Sequence, residues 1–97
     1  MPSVNITVKW PNGQHSDFYS PSTIVYEYFK KGQQWSQKEF LKQADEALHA
    51  ASARVHARYG FACASAMDTL SRIQGEIAYL ALKPHDTVEI TDIYNID

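Results

Sequence analysis

The chain has 97 residues and 44% of them are hydrophobic, which suits one small domain and leaves no room for a second core. A formal net charge of -2, with no run of Lys and Arg, argues against nucleic-acid binding. No apolar stretch approaches the roughly 20 residues that span a bilayer, and the N-terminus lacks the pattern of a signal peptide. We therefore expect a single domain over residues 1–97 in a cytoplasmic protein without membrane contact.

The first predicted elements are two strands joined by a tight turn. Residues 4–10 alternate between apolar and polar side chains, which is the period of a half-buried strand. A two-residue loop would place the Asp17 carboxylate on the apolar face. A three-residue loop over residues 11–13 avoids this and pairs Ile6 with Phe18, so we predict that register.

Three helices are predicted next. Ser20, as a cap residue before Pro21 at the first helical position, indicates a short helix. Ser36 and Glu39 form a capping box, which predicts the start of a long helix. Gly60 supplies the left-handed residue that ends it.

A second long helix is predicted to begin at about residue 62 or 65 and to end at Leu82, so that the two long helices form a hairpin. A last strand follows over residues 87–91, with a bulge or strand end near Asp92 where the alternation slips. The predicted order is ββαααβ. This is an α+β domain with a three-stranded, mainly antiparallel sheet packed on a helical hairpin plus a short helix. The pattern leaves open which hairpin strand lies beside the last strand.

One face of the long helix carries four side chains with metal-ligand spacing: Asp45, His49, Ser52 and His56. Lys38 and Lys42 lie on the same face and oppose a cation. We interpret it as a solvated face, and predict no metal and no cofactor.

Cys63 is the only cysteine, so no internal disulfide can form, in agreement with a reducing compartment. It could act as a nucleophile near a helix start, but its place on the apolar side favours packing. The sequence pattern positions no acid or base next to Cys63. We therefore predict no catalytic residue, and regard an enzyme as the less favoured class.

Arg54 and Arg58 are four residues apart at the edge of the apolar stripe of the long helix. They could bind a carboxylate or phosphate, or pair with acids of the chain: Asp17, Asp68 or Glu76. Asp68, Arg72 and Glu76, also spaced by four, predict ordinary surface pairs.

The aromatic content of 12% exceeds what so small a core readily hides. Some aromatic side chains must be partly exposed, either at the rim of the core or in a protein interface. The last strand could also offer an open edge to another chain.

Three segments together resemble a family of short bacterial nitrogen-starvation response proteins: Trp10-Pro11-Asn12-Gly13, Tyr19-Ser20-Pro21-Ser22, and residues 53–63 with Ala66 and Asp68. Members of that family are typically encoded beside a nitrilase, a radical-SAM protein and an acetyltransferase in a nitrogen-assimilation gene cluster. The resemblance implies a pathway and a partner protein from that cluster. It implies no catalytic residue.

Two hypotheses follow. The first is a small non-catalytic accessory or interaction protein that docks on an enzyme of the cluster through exposed aromatics and the Arg54/Arg58 edge. The second is a small-molecule (anion) binding protein or minor enzyme, with a pocket between sheet and helices near Arg58 and Cys63. The candidates for contact with a ligand or partner are Arg54, Arg58, Tyr59, Cys63 and Trp35. A homo-oligomer is compatible with both hypotheses.

Overall fold

The structure is a computed structural model that describes residues 3–60 and 64–96. Its elements are β1 (Val4–Lys9), β2 (His15–Ser20), a 3₁₀ helix (Thr23–Glu27), β3 (Gln34–Ser36), α1 (Gln37–Tyr59), α2 (Ala64–Tyr79) and β4 (Thr87–Asn95). The strands form one antiparallel sheet in the order β2-β1-β4-β3. Both α-helices pack on the same face of this sheet. The predicted α+β class is confirmed.

The β1–β2 hairpin has the predicted register. Ile6 lies opposite Phe18, and both side chains are buried under the helices. The N–H of Gly13 donates to the carbonyl of Trp10 at 2.9 Å, and Gly13 has a φ of 89°, as a left-handed loop residue requires. Asp17 therefore lies on the opposite, solvent-facing side of the sheet.

The prediction of three strands was wrong, because β3 adds a fourth. Trp35 of β3 lies opposite Val88 of β4. Three residues are too few to show an alternation. Because β3 also ends at the cap residue of α1, its sequence resembles that of a loop. The pairing itself also settles the strand order, with β4 between β1 and β3.

The predicted irregularity near Asp92 is a β-bulge. Thr7 of β1 lies opposite Asp92, whereas Val8 lies opposite Ile90, so Thr91 is the extra residue of β4. The Thr91 hydroxyl donates to the Thr7 carbonyl at 3.2 Å. The extra residue shifts the in–out alternation of β4 by one position, and the residues after it continue to pair with β1.

The predicted start of the short helix at Ser20 was wrong by two residues. Ser22 is the N-cap, with its hydroxyl accepting from the Ile24 N–H at 3.2 Å, and the element is a short 3₁₀ helix. Ser20 is instead the last residue of β2, paired with Val4. Its hydroxyl donates to the Ser22 carbonyl at 2.9 Å and so orders the loop through Pro21.

Helix α1 begins and ends as predicted. The Ser36 hydroxyl accepts from the Glu39 N–H at 3.2 Å. Gly60, with a φ of 77°, donates its N–H to the His56 carbonyl at 2.8 Å and ends the helix.

Helix α2 ends at Tyr79, so the predicted end at Leu82 was wrong. Ala81 has a φ of 53° and donates to the carbonyl of Ala78, while Leu82 donates to the carbonyl of Ile77, each at 3.1 Å. These two bonds are a Schellman motif with alanine in the left-handed position that glycine usually takes. Without a glycine, the sequence does not mark this end.

The core lies between the sheet and the helices and contains four large aromatic side chains: Trp10, Phe18, Phe29 and Phe40. Phe40 of α1 meets Trp10 edge to face, with ring centroids 6.0 Å apart, and meets Phe29 at 5.7 Å. These contacts hold α1 against the sheet. No described helix packs on the other face of the sheet, which is uncovered.

Candidate functional site

The residues predicted to contact a ligand or partner are spread over the molecule. Arg54 and Arg58 are exposed on the last turns of α1, and neither forms an ion pair with another described residue. In particular, the predicted alternatives of a bond to Asp17, Asp68 or Glu76 are not formed. Tyr59 ends α1, and Cys63 lies outside the described residues.

Trp35 is half-buried and forms part of the core wall. Its ring meets the ring of Phe29 edge to face, with centroids 6.1 Å apart. Its Nε1–H is buried and has no hydrogen-bond partner among the described residues. Trp35 thus offers a partner little exposed aromatic surface.

The face of α1 with metal-ligand spacing carries one contact between its side chains. Nδ1 of His49 lies 3.2 Å from Oδ1 of Asp45. Within residues 3–60 and 64–96, no three His, Cys, Asp or Glu side chains are grouped to hold a metal ion.

Arg72 and Glu76 connect α2 to the hairpin and do not form the predicted surface pair. The Arg72 guanidinium lies 5.2 Å from the centroid of the Phe18 ring. Trp10 Nε1–H donates to the Ser16 hydroxyl at 2.8 Å, and this hydroxyl donates to Oε1 of Glu76 at 2.8 Å. These side chains serve the packing of α2 on β2.

The face of the sheet opposite the helices carries no packed element among the described residues and is called the open face below. Cross-strand pairing arranges its side chains in three rows through β2, β1 and β4: Tyr19–Asn5–Tyr94, Asp17–Thr7–Asp92 and His15–Lys9–Glu89. Tyr19 is 38% exposed and Tyr94 is 47% exposed. The first of these rows places one accessible aromatic ring on each side of the polar residue Asn5 of β1.

A hydrogen-bonded carboxylate, that of Asp17, lies on the edge strand β2 of the open face. Thr7 donates its hydroxyl to Oδ1 of Asp17 at 2.6 Å, and Asn5 donates its Nδ2–H to the same oxygen at 3.1 Å. These bonds, first that from Thr7 and then that from Asn5, lower the pKa of Asp17, and the positive charges of His15 and Arg72 act in the same direction. Asp17 is therefore held as a fixed negative charge.

The open face combines negative charge with aromatic rings. The rows contain three carboxylates and one lysine: Asp17, Glu89, Asp92 and Lys9. The backbones of the two tyrosines are about 10 Å apart, since each tyrosine lies on a strand next to that of Asn5. Carboxylates and tyrosine rings together suit the guanidinium and ammonium groups of a basic partner surface.

This surface could not be predicted from the sequence, because it depends on the strand order, which the sequence pattern leaves open. The alternation of β1 did show that Asn5 and Thr7 face away from the core. Only the placement of β4 beside β1 brings Tyr94 and Asp92 next to them.

The comparison with known families matches most of the chain. The model of a family described as nitrogen starvation-induced protein NitG matches residues 5–93, which include both long helices, β2, β3 and nearly all of β1 and β4. Comparisons with curated proteins and with solved structures gave no match. Among the described helices, none combines the length and the hydrophobicity needed to cross a membrane. The match confirms the resemblance seen in the sequence, and the chain belongs to the family of nitrogen starvation-induced protein NitG.

Proposed function

We propose that this protein is a non-catalytic accessory protein of the nitrogen-starvation response, and that it docks on a partner protein through the open face. The observation that carries the proposal is the uncovered sheet face with Tyr19 and Tyr94 exposed on either side of Asn5. The resemblance to the nitrogen-starvation family implies a partner encoded in the same gene cluster.

The chemistry of the open face suits a protein partner. Tyrosine offers a large, rigid contact area together with a hydroxyl, and is enriched in interfaces for that reason. The carboxylates of Asp17, Glu89 and Asp92 outnumber the two basic side chains in the same rows, those of Lys9 and His15, which favours a partner surface that presents arginine or lysine side chains.

Contacts within the protein occupy Asp17, Glu76 and His49, which favours a binding role over catalysis. A general base or an activated nucleophile needs a partner group within hydrogen-bond reach of a site for substrate. Asp17 is engaged by Thr7, and Oε1 of Glu76 is engaged by Ser16. His49 contacts Asp45 on an exposed helix face.

The Arg54/Arg58 edge lies in the helical layer, on the other side of the sheet from Tyr19 and Tyr94. A flat partner that covers the open face does not reach it. Arg54 and Arg58 are exposed and form no ion pair with a described residue, which favours the second candidate function, an anion site that includes Arg58. Cys63, which the sequence also suggests for that site, lies outside the described residues.

The proposal is tested by affinity capture of the tagged protein from nitrogen-limited cells of its host. The test variant is the double substitution Tyr19→Ser/Tyr94→Ser. The matched control is Tyr79→Ser on α2, since Tyr79 is 87% exposed and lies outside the open face.

We expect the wild type and Tyr79→Ser to recover one protein in near-stoichiometric amount, and the double variant to lose it while remaining folded. Equal recovery by all three proteins, or the absence of such a protein from the wild-type sample, would contradict docking through the open face.

A further inference from the structure

The open face carries a cleft between two tyrosine rings. Tyr19 of β2 and Tyr94 of β4 lie on either side of Asn5 of β1, with their backbones about 10 Å apart. Both rings are accessible to solvent. The Tyr19 hydroxyl lies 3.1 Å from the Ser3 hydroxyl, which holds one of the two rings in place. We call the space between the rings, with Asn5 as its floor, the tyrosine cleft.

The β-bulge of β4 is what places one wall of the tyrosine cleft on the open face. Ile90 faces the core, so an unbroken alternation along β4 would turn Asp92 and Tyr94 toward the core as well. Because Thr91 is an extra residue, Tyr94 lies opposite Asn5 and faces away from the core, as does Asp92. Bulges often re-aim side chains in this way next to functional sites.

The polar groups on the floor of the cleft are hydrogen-bond acceptors. Nδ2 of Asn5 donates to the Thr7 hydroxyl at 3.0 Å and to Oδ1 of Asp17 at 3.1 Å. The Thr7 hydroxyl donates its single proton to Asp17 at 2.6 Å. These donors are therefore used, and what remains for a ligand is the carbonyl oxygen Oδ1 of Asn5 together with carboxylate oxygens. A ligand that enters the cleft must bring its own donors.

The basic side chains around the open face lie near other carboxylates. The row with Lys9 opposite Glu89 lies four residues along β1 from the tyrosine row, which is roughly 13 Å. Lys9 and Glu89 offset each other's charge there. His15 and Arg72 lie close enough to Asp17 for their positive charges to act on it.

Asp92 is the carboxylate of the open face that remains without a cation. Its Oδ1 accepts from the N–H of Ile93 at 2.9 Å, and Asp92 forms no ion pair with a described residue. It lies two residues before Tyr94 on β4 and faces the same side of the sheet, so it stands beside one wall of the cleft. The cleft therefore combines two aromatic rings with acceptors and a negative charge.

An arginine side chain meets these requirements better than other groups do. A guanidinium has five N–H donors and no acceptor, and its flat faces stack on aromatic rings, whereas a lysine ammonium has no flat face. We propose that the tyrosine cleft binds one arginine side chain of the partner, with its guanidinium between the rings of Tyr19 and Tyr94. The guanidinium donates to Oδ1 of Asn5 and to the carboxylate of Asp92. This assignment rests on the proposed docking through the open face and names the group that anchors the partner there.

The arginine anchor is tested by titrating the isotope-labelled protein with N-acetyl-arginine methylamide and following its amide and aromatic-ring resonances. We expect saturable shifts at the side-chain amide of Asn5 and at the rings of Tyr19 and Tyr94. The lysine analogue lacks the flat group and the citrulline analogue lacks the charge. Each should bind at least about fivefold more weakly at the same ionic strength.

The substitution Asp92→Asn keeps the shape of the side chain but removes its charge, and should weaken binding of the arginine analogue by at least about fivefold. Tyr94→Ser, at an exposed position, is a second variant that should weaken it as well. Asp68→Asn is the matched control, because Asp68 is exposed on α2 and lies outside the open face. It should bind the arginine analogue like the wild type.

No saturable shift with the arginine analogue, or equal weakening by Asp92→Asn and Asp68→Asn, would overturn the arginine site. Equal affinity for the lysine or citrulline analogue would overturn the choice of arginine. Partner capture separates this result from docking itself. Capture that is lost in Tyr19→Ser/Tyr94→Ser but kept in Asp92→Asn would support docking through the open face and contradict the arginine anchor. Saturable binding of the arginine analogue by a protein that captures no partner would support the cleft and contradict the docking.

Discussion

The two faces of the sheet differ in what their side chains contact. On the covered face, Phe18 and Ile6 are buried under α1 and α2, and large rings such as Phe40 fill the core. On the open face, Tyr19 and Tyr94 remain accessible, and the hydrogen bonds run between neighbouring strands. The covered face thus carries the core, while the tyrosine side chains of the open face remain accessible to solvent.

The largest effect should come from the covered face. Phe40→Ala removes a ring that contacts Trp10 and Phe29, and should lower the free energy of unfolding by about 3–5 kcal/mol. Urea denaturation measures this change. The control Tyr79→Ala, at an exposed position, should change stability by less than about 0.5 kcal/mol. Similar effects for both would refute this role of the core.

A smaller loss should follow from Ser16→Ala at the edge of the covered face. It removes the hydroxyl that accepts from Trp10 and donates to Glu76, leaving both without this partner. We expect a loss of about 1–3 kcal/mol by denaturant unfolding. Ser71→Ala, at an exposed position of α2, is the control and should be nearly neutral. A neutral Ser16→Ala would show that the network contributes nothing.

Ala81→Gly should stabilise the protein by about 1 kcal/mol, because Ala81 has a positive φ of 53° that costs alanine more than glycine. The same substitution at Ala78, in the last turn of α2, should destabilise by up to about 1 kcal/mol. Thermal unfolding of both variants measures the two changes in stability. If the two variants shift the midpoint in the same direction, the left-handed end of α2 is not as described.

A substitution on the open face should have a small, pH-dependent effect on the stability of the fold. Because the pKa of Asp17 is lowered in the folded protein, its carboxylate stabilises the fold at neutral pH. That contribution is lost as the pH falls through the folded-state pKa. Asp17 is exposed, so Asp17→Asn should cost less than about 1 kcal/mol at pH 7.

The stability difference between wild type and Asp17→Asn should disappear in acid. Urea denaturation at a series of pH values measures it, with Asp68→Asn on α2 as the control. A difference that grows as the pH falls would contradict the bonds from Thr7 and Asn5 to the charged form.

Local rules account for the parts of the fold that could be predicted. The loop around Gly13, the Ser36 cap and the Gly60 end each depend on a few neighbouring residues, and all were predicted correctly. The strand β3 depends on its pairing with the distant β4, which the local pattern does not contain. The end of α2 is local, but alanine takes the left-handed position at Ala81 where the pattern relies on glycine.

The same distinction applies to the site. That Thr7 faces away from the core follows from alternation alone. The predicted hairpin register already places Asp17 opposite Thr7, as observed. That Asp92 lies on the other side of Thr7 depends on the strand order. The burial of Trp35 depends on Phe29, which is brought to it by the fold.

The most direct test of docking through the open face is site-specific photo-crosslinking in nitrogen-starved cells. A photoreactive phenylalanine derivative replaces Tyr94 in one strain and Tyr79 in another, since both side chains are exposed but only Tyr94 lies on the open face. We predict one discrete cross-linked protein from position 94 and none from position 79. No cross-link from position 94, or the same product from both positions, would contradict the assignment of the open face as the docking surface.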